Sequence, residues 1–411
     1  MSRVPFFGVL VARSVSRIGS LMTFVAIPWF VLVTTGSATR AGVVAFAEMT
    51  PFVLAGLFGG PWIDRWGPRV VSVGTDVASA AAITALPLLH QAGRLSFPAL
   101  LAVVAATGAL RGFGDAAKGA LQPRAIAVSG IDVTRAATIQ DGASRLSGLL
   151  GLPLAGVLVG WLHADNVLYV DAVSFVLCAG LVAALVRVGA APDAEEREPY
   201  LVALRAGVAY LRGDRLMLGL SLIVLATNMF DQAFAAVFTP VWAHDVLRDP
   251  RALGLVGGVT ALGAVLGNLG YAALALRLPR YLTFTVCFLA AGGSRFVAMA
   301  LGEGIWPVLG VAFAAGVLMS TVNPILSAVA YERVPEGLQA RVFGLTGAVS
   351  AAGMPLGGLL GGGLIAGVGL RGALLVTGGL YVLVTLVPFV FPSWRAVDRA
   401  PAAEPELVAV G

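Results

Sequence analysis

Charge is what this sequence has least of. Asp, Glu, Lys and Arg make up 12% of its 411 residues against 58% hydrophobic ones, and the mean hydropathy is +0.90. A water-soluble domain carries about 25% charged residues, because its surface has to be solvated. Half that fraction over a chain of this length leaves too little charge to coat a globule, so the uncoated surface must face lipid. Lysine is almost missing, since only Lys118 among 27 basic residues is one. With the heavy use of Ala, Gly and Val, this reads as coding bias. Cysteine is limited to Cys178 and Cys287, both in apolar runs and without CxxC or Cys/His spacing, so neither a disulfide framework nor a Cys/His metal site is indicated. The pI of 9.6 does not point to nucleic acid, because the basic residues are scattered singly instead of clustering on one segment. HxxxH, GxSxG and Walker patterns are also missing, which argues against a membrane-embedded hydrolase and an ATP-driven pump.

What is present is a series of long apolar runs. A bilayer core needs about 20 apolar residues per helix. Twelve such stretches lie at about 8–33, 42–62, 70–90, 97–115, 138–162, 166–188, 216–241, 252–276, 281–301, 305–329, 341–367 and 370–392. The first is of spanning length and carries Arg13 and Arg17, which predicts a retained helix and not a cleavable signal. The one long polar interruption, 189–215, falls between the sixth and seventh stretches. Its second part, from Tyr200 to Arg212, has helical apolar spacing and is expected to lie along the membrane surface. The predicted organisation is therefore an all-α membrane protein with a six-helix bundle at 1–188, a cytoplasmic linker with an amphipathic helix at 189–215, a second six-helix bundle at 216–392 and a disordered tail at 393–411.

With the N-terminus inside, the inner connections hold seventeen basic residues, Lys118, Arg124 and Arg135 among them, and the outer ones five. The positive-inside rule then places both termini in the cytoplasm. The halves also repeat each other. Gly151-Leu-Pro153-Leu-Ala-Gly156 in the fifth stretch matches Gly353-Met-Pro355-Leu-Gly-Gly358 in the eleventh. Parallel six-helix repeats are a transporter signature, with the site between them near the midplane.

Between the second and third stretches stands Gly60-Pro-Trp-Ile-Asp64-Arg65-Trp-Gly67-Pro-Arg69. Gly60 is expected to let the second helix approach a neighbour, Gly67 to permit a tight turn, and Asp64 to pair with an Arg or a helix N-terminus across the domain interface. The segment resembles the loop signature of the major facilitator superfamily, where such a network latches one access state. Arg111-Gly-Phe-Gly114-Asp115 looks like a reduced form of that family's fourth-helix element. It implies either a cavity-facing Arg111 or an arginine paired with Asp115 at i+4. Gly148-Leu-Leu-Gly151-Leu-Pro153-Leu-Ala-Gly156 is similar to the antiporter motif of drug exporters, with Leu152 as a departure. Further stretches, Asp171-Ala-Val-Ser-Phe175 among them, resemble the branch that includes the enterobactin exporter and macrolide efflux pumps.

A charge at the bilayer centre costs roughly 2.5–3.5 kcal/mol on insertion scales, so each one should face protein or water. The resemblance makes the first, fourth, seventh and tenth helices the cavity lining. On that basis Arg17, Phe24, Asn228, Phe230, Gln232, Phe234 and Asn323 are cavity candidates. Asp231 and Glu48 are candidate proton carriers, the alternative being buried carboxyls held by a neighbouring Arg, Asn or Gln. Asp76, Asp171 and Arg295 are expected to be scaffold contacts, and Asp141 with Arg145 a pair near the cytoplasmic surface. The implied function is proton-coupled export of a small amphipathic drug, antibiotic or secondary metabolite such as a siderophore. It would proceed through a largely apolar cavity, by a monomer in the inner or plasma membrane, driven by the proton-motive force and using no cofactor. A nutrient symporter or uniporter of the same fold is the first alternative, and a non-transporting membrane receptor or scaffold is the alternative of another class.

Overall fold

The computed structural model describes residues 2–186, 200–275, 277–302 and 304–398, and the described chain is helical throughout. The first half holds α1 (Val4–Thr35), α2 (Ala38–Phe58), a short α3 (Gly60–Trp66), α4 (Pro68–Gln91), α5 (Phe97–Ser129), α6 (Val133–Leu162) and α7 (Ala164–Leu185). After it come α8 (Tyr200–Gly213), α9 (Arg215–Leu247), α10 (Arg251–Leu274), α11 (Arg280–Leu301) and α12 (Ile305–Arg333). The last 52 helical residues, Gln339–Val390, are interrupted by Gly369 at φ 71°. A single helix of that length would run about 78 Å, more than twice a bilayer core of ~30 Å. Gly369 therefore divides it into α13 (339–368) and α14 (370–390), and twelve crossings result.

Local chemistry starts and stops these helices where the chain must turn. Ser37, Ser96, Asp132 and Asp214 each accept a backbone N–H in the first turn of α2, α5, α6 and α9, satisfying donors that the helix leaves open. Gly36, Gly67 and Gly130 take positive φ in the connections. In the first half α1 packs on α5, α6 and α7, and α4 packs on α5 and α7. In the second, α9 packs on α13, α10 on α12, and α11 on α12 and α14. The halves join along α2 with α13 and α6 with α10.

Three expectations change here. The fourth span does not end at residue 115: α5 continues to Ser129. Lys118 is therefore not a loop residue but a buried one, 2% exposed, because its charge is met by Asp76 inside the bundle. Gly60 faces open space, and the close approach belongs to Gly59, whose added Cβ would lie 2.9 Å from the Phe113 ring. The expected tail begins folded, since Pro392–Asp398 forms a 3-10 turn that buries Trp394 against Gly219 and Phe284; residues 399–411 lie outside the described chain. So do 187–199 of the linker. The remainder of the linker is α8, docked on α13 beside Gly207. The Tyr210 hydroxyl donates to the Arg333 carbonyl at 2.7 Å. Burial, and then the nearby Asp214, raise its pKa above the usual phenol value, so it stays a neutral donor.

Candidate substrate cleft and the ion pairs beside it

Away from the termini the halves are sealed by small residues. A Cβ on Gly358 would sit 2.7 Å from the Gly42 carbonyl oxygen, and Gly362 packs over Ala38, Thr39 and Gly42. Across the other seam, a Cβ on Gly156 would fall 2.7 Å from the Gly254 backbone, and one on Gly254 equally close to the Leu152 carbonyl oxygen. Gly258 lies against the Pro153 ring. Backbones this close exclude water without any hydrophobic side chain, which is how membrane helices pack tightly. Trp29 of α1 and His244 of α9 complete the seal, their rings 5.5 Å apart.

Toward the terminal end the helices separate and two clefts open. The larger, about 550 Å³, lies between α1, α5 and α6 and is lined by Arg13, Arg17, Phe24, Arg111, Asp115, Gln140 and Asp141, among others. The smaller, about 340 Å³, lies between α9, α12 and α13 and is lined by Met217, Asn323, Tyr331, Phe343 and Ser350, with no Asp, Glu, Lys or Arg among its described lining residues. The larger cleft corrects the expectation of a largely apolar cavity. Its arginines and aspartates share the lining with Val9, Leu10, Leu21 and Phe24, whereas the smaller cleft, in the second half, has only uncharged described lining residues.

The expected site residues divide accordingly. Arg17, Phe24, Arg111 and Asp115 line the larger cleft, and Asn323 lines the smaller. Asn228 donates to the Ser350 carbonyl at the edge of the smaller one. Phe230, Gln232 and Phe234 line neither cleft. Phe230 packs on Tyr381 and Phe234 on Phe296 inside the second bundle, and Gln232 lies against Gly357 of α13. Helical rotation turns them toward the half's own core, although they neighbour Asp231 in sequence. Gly151 brings α6 onto Leu21 and Ile18 of α1, whereas Gly148 meets nothing. Gly114 meets Thr75 of α4. In the loop motif Gly67 takes φ 83°, Asp64 and Arg65 are exposed, and Arg69 donates to the Ala183 carbonyl of α7.

Two ion pairs stand at membrane depth beside this space. Arg111 of α5 bonds Glu48 of α2 at 2.5 Å, not Asp115. Asp231 of α9 is held by Arg295 of α11. The Arg295 guanidinium also lies 5.0 Å from the Phe234 ring centroid and 5.4 Å from those of Phe296 and Tyr381. Such a cage attracts a cation through the ring quadrupoles. Arg295 is thus more than the scaffold contact expected from sequence, and Tyr381 is a member of this site that sequence reasoning missed. Its apolar neighbours concealed it. A π-helical stretch, Phe234–Phe238, begins three residues after Asp231, a distortion frequent at functional sites. Two other carboxylates serve the scaffold: Asp171 accepts from Thr23 of α1 and from Ser174, and Asp76 accepts from Lys118. Asp141 and Arg145 pair at 2.7 Å on α6.

The sequence profile of the Major Facilitator Superfamily matches residues 9–248 and 221–409. The multidrug efflux pump Tap of Mycobacterium tuberculosis is 31% identical over 409 residues, spanning 98% of this chain and 97% of that protein. Macrolide efflux protein A of Streptococcus pyogenes is 21% identical over 400 residues, or 96% and 98% of the two chains. Among solved structures, nucleoside transporter NupG superposes with a TM-score of 0.75 at 13% identity, covering 94% of this chain and 98% of its own. An inward-facing, occupied bacterial homolog of the human lysosomal transporter Spinster gives 0.71 at 14% identity, covering 96% of each chain.

Proposed function

The chain belongs to the Major Facilitator Superfamily and is a multi-pass membrane transporter, not an enzyme, and from that premise we propose that it exports small amphipathic drugs or secondary metabolites in exchange for protons. The observation that carries this reading is a charged cleft open at one end and sealed by glycine seams at the other, in a chain similar from end to end to efflux pumps. With the termini in the cytoplasm, as the distribution of arginine indicates, the cleft opens inward. It loads from the cytoplasm, and rocking of the halves about the α2–α13 and α6–α10 seams exposes it outside.

Protons couple through Asp231 and Glu48. Each carboxylate is held by an arginine from another helix, so protonation removes one ion pair and changes the preference between access states. The aromatic faces around Arg295 keep that cation favourable while Asp231 is neutral. One charge moved through 100 mV supplies about 2.3 kcal/mol, enough for roughly a 50-fold gradient. The loop motif from Gly60 to Arg69 latches one access state, with Asp64 as its acceptor.

The test is quenching of a pH-gradient dye in everted vesicles challenged with antibiotics and dyes. Discharge of the gradient by a compound, abolished in Asp231→Asn, supports coupled export. Uptake of a nutrient by intact cells, with no discharge by any drug, would sink it.

A further inference from the structure

The charges of the larger cleft do not cancel. Arg111 is matched by Glu48, and Asp141 by Arg145. Arg13 donates to the uncharged side chain of Gln122. Arg17, one helical turn further along α1, makes no hydrogen bond or ion pair among the described residues. It is exposed to the cleft, and Ser16 and Ile18 beside it point into the bundle or are partly covered. Thirteen residues into α1, Arg17 stands about 20 Å from the helix start, inside a hydrocarbon core of ~30 Å. A guanidinium at that depth is costly to insert and is normally paired. Among the described residues no carboxylate lies within ion-pair distance of this one, although Asp115 lines the same cleft.

We infer that the cleft takes amphiphiles bearing a carboxylate or comparable anionic group, with Arg17 as the counter-ion and the apolar lining at Leu21 and Phe24 receiving the apolar body. The inference rests on the reading of this cleft as the transport site and names its substrate class. The planar fork of an arginine matches a carboxylate bidentately, and the low dielectric of a membrane cleft strengthens that attraction. The smaller cleft, in the second half, offers no ionic side chain among its described lining residues, so charge recognition belongs to the first half. Asp115 faces the same cleft and admits a second, basic group, so zwitterions fall within the class. Lipophilic cations without an acid group do not.

Three dansyl compounds of similar size decide the point: dansylglycine (acid), its methyl ester (neutral) and dansylcadaverine (cation). Their fluorescence is titrated against the full chain in phosphatidylcholine nanodiscs, with empty nanodiscs subtracted. The acid is expected to bind at least tenfold more tightly than ester and cation. Arg17→Gln removes that preference, and Arg17→Lys, which keeps the charge but not the fork, retains part of it. Equal binding of acid and ester, tighter binding of the cation, absence of acid binding, or an unchanged preference in Arg17→Gln would each overturn the inference. Flux of the same compounds in everted vesicles separates it from the export reading. Export of the cation alone leaves export standing and removes the acid site. Acid binding that depends on Arg17, with no flux of any compound, does the reverse.

Discussion

Lys118, the only lysine in the chain, donates to Asp76 at 2.6 Å, and both side chains are 2% exposed. The pair ties α5 to α4 in the interior of the first bundle, with the Ser16 hydroxyl of α1 at 3.4 Å from the same ammonium. It is remote from solvent, so each charge depends on the other.

Lys118→Met is expected to destabilise the protein by about 3–5 kcal/mol, because a buried carboxylate loses the cation it is paired with. The double variant Lys118→Met/Asp76→Leu recovers most of that loss, since no charge is then stranded. Thermal unfolding in detergent, followed by the monodisperse fraction in size-exclusion chromatography, measures both. A double variant as unstable as the single would show that the pair is not what holds α4 and α5.

Asp231→Asn is expected to lower proton-driven drug transport at least tenfold while leaving the fold intact, since the amide still accepts from Arg295 but binds no proton. Dye quenching in everted vesicles gives the coupled rate, and binding of the same drug gives the intact site. Coupled transport at the normal rate would remove Asp231 from the mechanism.

Gly254→Val places side-chain atoms where α6 and α10 touch, within 2.7–3.0 Å of the Leu152 oxygen and the Gly156 backbone. The seam away from the termini should then fail to close. A cysteine replacing the fully buried Val237, which Gly361 covers from α13, is expected to react with an impermeant maleimide several-fold faster in this background. Unchanged labelling would mean that the seam is not the gate.

Asp64→Ala should reduce transport at least tenfold with a stability change under about 1 kcal/mol, because the residue is exposed and buries no apolar surface. Parallel measurements of vesicle transport and thermal stability separate a latch from a fold defect. Loss of both together would assign Asp64 a structural task instead.

Much of the architecture was legible in the residues, because lipid imposes a simple rule on composition: a span must be apolar over about twenty positions. The break between the eleventh and twelfth stretches fell beside Gly369, where the helix does break. The matched Gly-Pro-Gly segments marked two helices that do lie at the seams, Gly156 and Gly358 each meeting the other half. The same rule misled at Lys118, which looked like a loop residue because a sequence shows a charge but not its partner. Phe230 and Phe234 were expected in the cavity from their neighbourhood in α9, whereas their helical phase turns them to Tyr381 and Phe296.

What the sequence alone determined is therefore the membrane class, the division into two six-helix halves and the two Gly-Pro-Gly segments along which the halves approach closely, though not the single contacts expected of Gly60 and Gly148. All three follow from composition and spacing, which act locally. Only the tertiary structure decided which charges pair. Glu48 with Arg111, Asp231 with Arg295 and Asp76 with Lys118 join residues 63, 64 and 42 positions apart. It also decided that Arg17 forms no ion pair among the described residues. Pairing of ionised groups in a low-dielectric interior depends on distances of a few ångström between helices, and those distances exist only once the bundle has packed.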